Sequence, residues 1–144
     1  MKIVRDILER KGTDVWTIEP NATVREALAK MAEKDVGALV ITEGQRIIGI
    51  ISERDYARRV IEGGSTFLDA PVRDVMAHNP SCITPGHTVA ECMSFMTDKR
   101  VRHLPVIGDG NSLAGLISIG DVVAATLNEC ESKVDELKSF VYGT

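Results

Sequence analysis

"GIISERDYARRV", residues 49–60, and "GLISIGDVVAAT", residues 115–126, share one pattern: Gly, two apolar residues, Ser, any two, Asp. Each reads as the end of a buried strand running straight into a helix. Outward from this junction the chain is written twice. "VRDIL" from Val4 matches "VRDVM" from Val72, and "TIEPNATVREAL" from Thr17 matches "CITPGHTVAECM" from Cys82, with Pro20 on Pro85 and Thr23 on Thr88. "MAEKDVGALVI" matches "MTDKRVRHLPV" in the same register. Two copies are too few for a solenoid and suit two similar half-domains, neither able to bury its apolar face alone. The boundary falls at 71/72: residues 1–71 are the first copy with its linker, and 72–144 the second copy with a C-terminal helix.

Each copy carries the same coarse order, β-α-β-β-α, in a mixed α/β (α+β) fold. After a short apolar segment (Val4–Leu8; Val72–Met76) comes a brief strand, Val15–Ile18 or Ser81–Thr84. Thr23 with Glu26, and Thr88 with Glu91, form the capping-box signature that opens a helix. In the first of these helices Ala27, Leu28, Met31 and Ala32 make an apolar stripe. Two strands follow, "GALVIT" and "IIGIIS" or "HLPVIG" and "LAGLIS", joined through "EGQR" or "DGNS". A helix from near Glu53 or Ile119 closes each copy, and "EGGSTFLDAP", residues 62–71, is the linker. The second-copy helix has a wide apolar surface: Val89, Ala90, Cys92, Met93, Phe95 and Met96. A helical tail puts Val134, Leu137 and Val141 on one side, with Phe140 beside them. Both faces suit a second subunit.

The chain has 144 residues, 44% of them hydrophobic and 26% charged, as in an ordinary globular protein. Net charge is −4, with no Lys/Arg block, which argues against nucleic-acid or anionic-membrane binding. The start, "MKIVRDILERKG", reads as neither signal peptide nor anchor, and no window has the apolar length of a membrane span. The three cysteines, Cys82, Cys92 and Cys130, read as reduced thiols in a cytoplasmic protein.

At the junction two readings stand open. Ser52 with Asp55, and Ser118 with Asp121, are Ser-x-x-acid pairs that would cap the following helix. The same geometry offers first-turn amides and a serine hydroxyl to a phosphate, and a carboxylate suited to the two hydroxyls of a ribose. Arg54 adds positive charge in the first copy; Gly120 stands there in the second.

The paired "T-I-x-P-x-x-T-V-x-E", "L-P-V" and "G-h-h-S-x-x-D" motifs (h, apolar) resemble tandem CBS domains, the Bateman module, from about Val4 to Asn128. The resemblance implies two repeats packed through their sheets with pseudo-twofold symmetry. It also implies a homodimer formed through helices, and an adenosine ligand in clefts between the repeats. AMP is the first expectation, ADP or ATP the next, and S-adenosylmethionine, NAD(H) or a ligand-free scaffold the alternatives. It places Asp55 and Asp121 at the ribose, and Ser52, Ser118, Arg54 and Gly120 near the phosphate. Val36, Gly37, Ala38, Val101, Arg102 and His103 flank base and phosphate; Thr17, Ile18, Ile83 and Thr84 lie near the base. Each ligand would take its Ser and Asp from one repeat and its strand opening from the other. The expected role is a sensor or regulatory module with a regulated protein partner.

Trp16 reads as core or interface packing, or as a base-stacking ring. His78, Cys82, His87 and Cys92 lack metal-ligand spacing. No nucleophile, base and oxyanion donor converge, so no enzyme and no catalytic residue is expected.

Overall fold

The computed structural model describes residues 2–64 and 66–142, with side chains through residue 140. It has a mixed α/β architecture of two compact units: a contiguous one, Asp14–Ser81, and a split one, Met1–Thr13 with Cys82–Thr144. The repeat in sequence breaks at 71/72; the compact units do not. Helix α1 (Val4–Lys11) buries Val4, Ile7 and Leu8 in one cluster with Ile83, Leu104, Val106 and Ile117. Val72, Val75 and Met76, the second copy's equivalent segment, join Met31, Leu39, Ile41 and Ile51.

Both leading segments dock by the same three main-chain hydrogen bonds. In the split unit these are Val4 N–H to His87 O (2.9 Å), Arg5 N–H to Pro85 O (2.9 Å) and Val89 N–H to Lys2 O (3.0 Å). In the contiguous unit they are Val72 to Ala22 (2.8 Å), Arg73 to Pro20 (3.2 Å) and Val24 to Ala70 (2.9 Å). Each set satisfies a first-turn amide that the helix cannot pair internally.

The contiguous unit holds a four-stranded sheet in the order β1-β2-β3-β4. Its strands are β1 (Thr17–Ile18), β2 (Ala38–Glu43), β3 (Arg46–Ser52) and β4 (Ala77–His78). β1 runs parallel to β2, and the other pairings are antiparallel. Helices α2 (Val24–Lys34) and α3 (Glu53–Gly63) belong to the same unit. Of the stripe read on α2, Ala27 and Met31 are buried and Leu28 partly so, but Ala32 is exposed and Val24 takes its place. The α2 cap explains this: its buried face begins at the first helical residue, one turn earlier than the stripe was drawn. Gly64, at φ 66°, ends α3 in the left-handed region that glycine adopts without steric cost.

The split unit pairs β5 (His103–Ile107) with β6 (Leu113–Ser118), with α4 (Val89–Lys99) and α5 (Ile119–Tyr142) alongside. The brief strand expected at Ser81–Thr84 shrinks to one parallel bridge, Ile83 to Val106. Its partner strand β5 carries Pro105 where β2 has Val40, whose N–H donates to Trp16 O (3.1 Å); proline has no N–H to extend the pairing. Its counterpart in the first copy shortens to β1. The apolar segments expected ahead of these strands are helix α1 and a short 3₁₀ turn, Val72–Asp74. The C-terminal tail is no separate element: α5 runs unbroken for 24 residues. Val141, read onto its apolar side, lies outside the described side chains.

Candidate functional site

The junction is built alike in both units. α2 and α4 end in left-handed caps at Asp35 (φ 54°) and Arg100 (φ 55°). The following amides, Val36 and Val101, turn back onto the carbonyls of Met31 (3.0 Å) and Met96 (3.1 Å). This reversal aims Val36–Gly37–Ala38 and Val101–Arg102–His103 into β2 and β5. There Ala38 pairs with Ser52, and His103 with Ser118. Glu53 N–H then bonds Gly37 O (3.1 Å), and Ile119 N–H bonds Arg102 O (2.8 Å). Strand opening and Ser-x-x-Asp junction of the same copy are thus stitched side by side.

Those stitches use up amides. Ser52 Oγ accepts from Asp55 N–H (3.1 Å), and Ser118 Oγ from Asp121 N–H (3.2 Å). Of the first three helical amides, these contacts leave only those of Arg54 and Gly120 for an anion. The hydroxyl protons of Ser52 and Ser118 stay able to donate. The Arg54, Gly37, Gly120 and Arg102 positions are exposed, whereas Ser52 and Ala38 are buried.

The two acids differ. Asp55 is half-buried, and among the described residues its carboxylate accepts no hydrogen bond and joins no ion pair. Asp121 Oδ2 accepts from Ser118 N–H (2.8 Å), completing a capping box, and from Lys11 Nζ (2.7 Å). Lys11 Nζ also donates to Leu116 O (2.9 Å). Desolvation pushes the Asp121 pKa upward, but the Lys11 and Ser118 donors together outweigh it and hold it below the usual carboxylate value. Lys11 went unnoticed in the sequence because it lies 110 residues from Asp121, outside any local motif.

The remaining candidates separate by burial. Ile83 belongs to the split unit's core, with its N–H on Pro105 O (2.9 Å) and its carbonyl taken by Ile107 N–H (2.7 Å). Ile18 packs partly against the contiguous core, and Thr17 O accepts from Lys30 Nζ. Thr84 N–H (2.9 Å) meets His87 Nδ1, whose ring packs edge-on against Phe95. His87 therefore serves a loop. Trp16 packs partly on the contiguous core, with Lys34 Nζ 4.4 Å from its ring centre. Burial pushes the Cys92 thiol up to about 11, with Glu91 adding to it, and also raises Cys82; Cys130 is exposed. Among the described residues no helix is long and apolar enough to cross a membrane.

A family description, the CBS domain, matches residues 4–62 and again 72–128. The chain belongs to the CBS-domain family. Among relatives of this CBS pair is the mitochondrial CBS domain-containing protein CBSX3 of Arabidopsis thaliana, 36% identical over 97% of this chain and 72% of that one. A structure of a protein with CBS domains from Burkholderia ambifaria superposes with a TM-score of 0.82. It is 40% identical and covers 88% of this chain and 95% of its own. A CBS domain protein from Pyrobaculum aerophilum, complexed with AMP, is 26% identical over 83% of this chain and 88% of its own, with a TM-score of 0.71. These likenesses also establish the CBS-pair fold.

Proposed function

We propose that this CBS pair is a non-enzymatic regulatory module that binds an adenine nucleotide, AMP first, at its Ser-x-x-Asp junctions. The observation that carries this reading is the carboxylate of Asp55, which has no partner among the described residues. It stands one helical turn beyond a buried Ser52, on a helix whose first amide, Glu53 N–H, is bonded to Gly37 O (3.1 Å) and whose next residue, Arg54, is exposed. A carboxylate needed only as a cap would close back on the serine amide, as Asp121 does. An open one is suited to a ribose diol, with the Ser52 hydroxyl, the Arg54 amide and its side chain facing phosphate. The AMP complex of the Pyrobaculum aerophilum relative supports the choice of ligand. Thr17, Ile18, Val36, Ala38, Thr84, Val101, Arg102 and His103 would border the base.

The module acts as a homodimer through its helices, which leave Met93, Val123, Leu127, Val134, Leu137 and Phe140 exposed. Binding would shift the populations of its arrangements in a way that a protein partner reads. Its three cysteines suit the reducing cytoplasm. A ligand-free scaffold is favoured at one place only, the Ser118–Asp121 junction, where the acid is already engaged.

Calorimetric titration of the purified chain with AMP and 2′-deoxy-AMP tests the reading. AMP should bind, and the deoxy analogue should bind about tenfold more weakly, the cost of one charge-assisted hydrogen bond. Equal affinities, or no heat with AMP, ADP and ATP alike, overturn it.

A further inference from the structure

Resting on the nucleotide reading, we propose that Lys11 decides which junction takes ligand: it holds Asp121 back from the ribose, so Ser52–Asp55 is the site that fills first. A carboxylate grips a cis-diol with both oxygens, and Asp121 Oδ2 already accepts from Lys11 Nζ (2.7 Å) and Ser118 N–H (2.8 Å). Lys11 is itself anchored on Leu116 O (2.9 Å), a strand carbonyl two residues before Ser118. To hold both hydroxyls with both oxygens, a ligand must therefore displace the ammonium from Oδ2.

Among the described residues the contiguous unit has no such guard. Its docked segment, aligned from Val72 as the other is from Val4, carries Asn79 where Lys11 stands. Asn79 spends its N–H on Ile48 O (3.2 Å), and the Asp55 carboxylate keeps no partner among the described residues. The asymmetry lies in residue and in backbone: Lys11 ends helix α1, whereas the other segment is a 3₁₀ turn, Val72–Asp74, leading into β4 just before Asn79. The guard is displaceable. The Lys11 and Asp121 side chains are 36% and 21% exposed, so solvent screens their attraction. Both line a cavity of about 340 Å³ with Lys2, Asp6 and Arg10, which gives the lysine open space to move into.

Titration of the full chain with AMP distinguishes the possibilities. Wild-type protein should show one strong site per chain, lost in Asp55→Asn. Lys11→Met should strengthen the second site by roughly threefold to tenfold, as removal of a partly screened charged hydrogen bond allows. That gain should vanish in the double variant Lys11→Met/Asp121→Asn, and Lys11→Arg should behave as wild type. Removing a cation weakens a nucleotide's general attraction to the protein, so a gain is specific to the unmasked acid. Unchanged or weaker binding by Lys11→Met, with wild type still binding, overturns the guard alone. So does a strong site that survives Asp55→Asn and disappears in Asp121→Asn. Silence from every variant and wild type sinks the nucleotide reading and this inference with it.

Discussion

Asp121 is where residue chemistry is most exposed to measurement. Its pKa in the folded chain lies below the ordinary carboxylate value, because donors from Lys11 and Ser118 outweigh its burial. A group depressed on folding adds stability above its unfolded pKa, about 3.9, and loses that contribution as pH falls through the folded value. The Lys11 share of it should be about 0.5–1 kcal/mol, reduced by partial exposure. Urea unfolding of wild type and Lys11→Met should therefore differ at pH 7 and converge as the pH is taken below 4. A gap that stays constant with pH would show that the ion pair adds nothing. The capping boxes at Thr23 and Thr88 were legible at this scale, since cap and acid stand three residues apart on one turn. The open state of Asp55 was not: "SERD" and "SIGD" have the same spacing, yet only Asp121 closes on its serine amide and takes a lysine from elsewhere in the chain.

Among the elements, α5 is the least settled by its own unit. Val122 and Ala125 are buried near its start, while every described residue from 131 to 140 is exposed. Leu137 and Phe140 are 64% and 88% exposed, though both are large and apolar. A helix this long with bare apolar residues calls for a covering surface. Under the homodimer reading Leu137→Lys should shift sedimentation toward monomer while changing the unfolding free energy of the chain's cores by no more than about 0.5 kcal/mol. Wild type sedimenting as a monomer at high concentration would count against it. Periodicity showed this face because 3.6-residue spacing is local, and it showed the wide face of α4 in the same way. It overestimated the brief strands: "SCIT" has strand-forming residues, but pairing needs a neighbour along its length, and Pro105 on β5 has no N–H to carry the ladder beyond one bridge.

For the whole chain, the compact units cut across the repeat. Leu8 belongs by sequence to the first copy and by packing to the core around Ile83, Leu104 and Ile117. It also blocks the space a side chain at Gly115 would need, lying 2.6 Å from where a Cβ would sit. Leu8→Ala should cost about 2–5 kcal/mol, the range for a buried leucine. By hydrogen exchange the loss should be read in amides of residues 82–128, with residues 14–81 less affected. Faster exchange confined to 14–81 would contradict the observed packing.

The amino-acid sequence alone determined what depends on neighbours within a few turns: the duplication, the order of the longer strands and helices, the caps, and the paired Ser-x-x-Asp junctions. These follow from local hydrogen bonding and apolar periodicity, which a short window contains in full. Only the tertiary structure decided which core each leading segment enters, and which of the two acids is left open. Both depend on contacts between residues as much as 110 positions apart, made by side chains whose local surroundings in the sequence are alike.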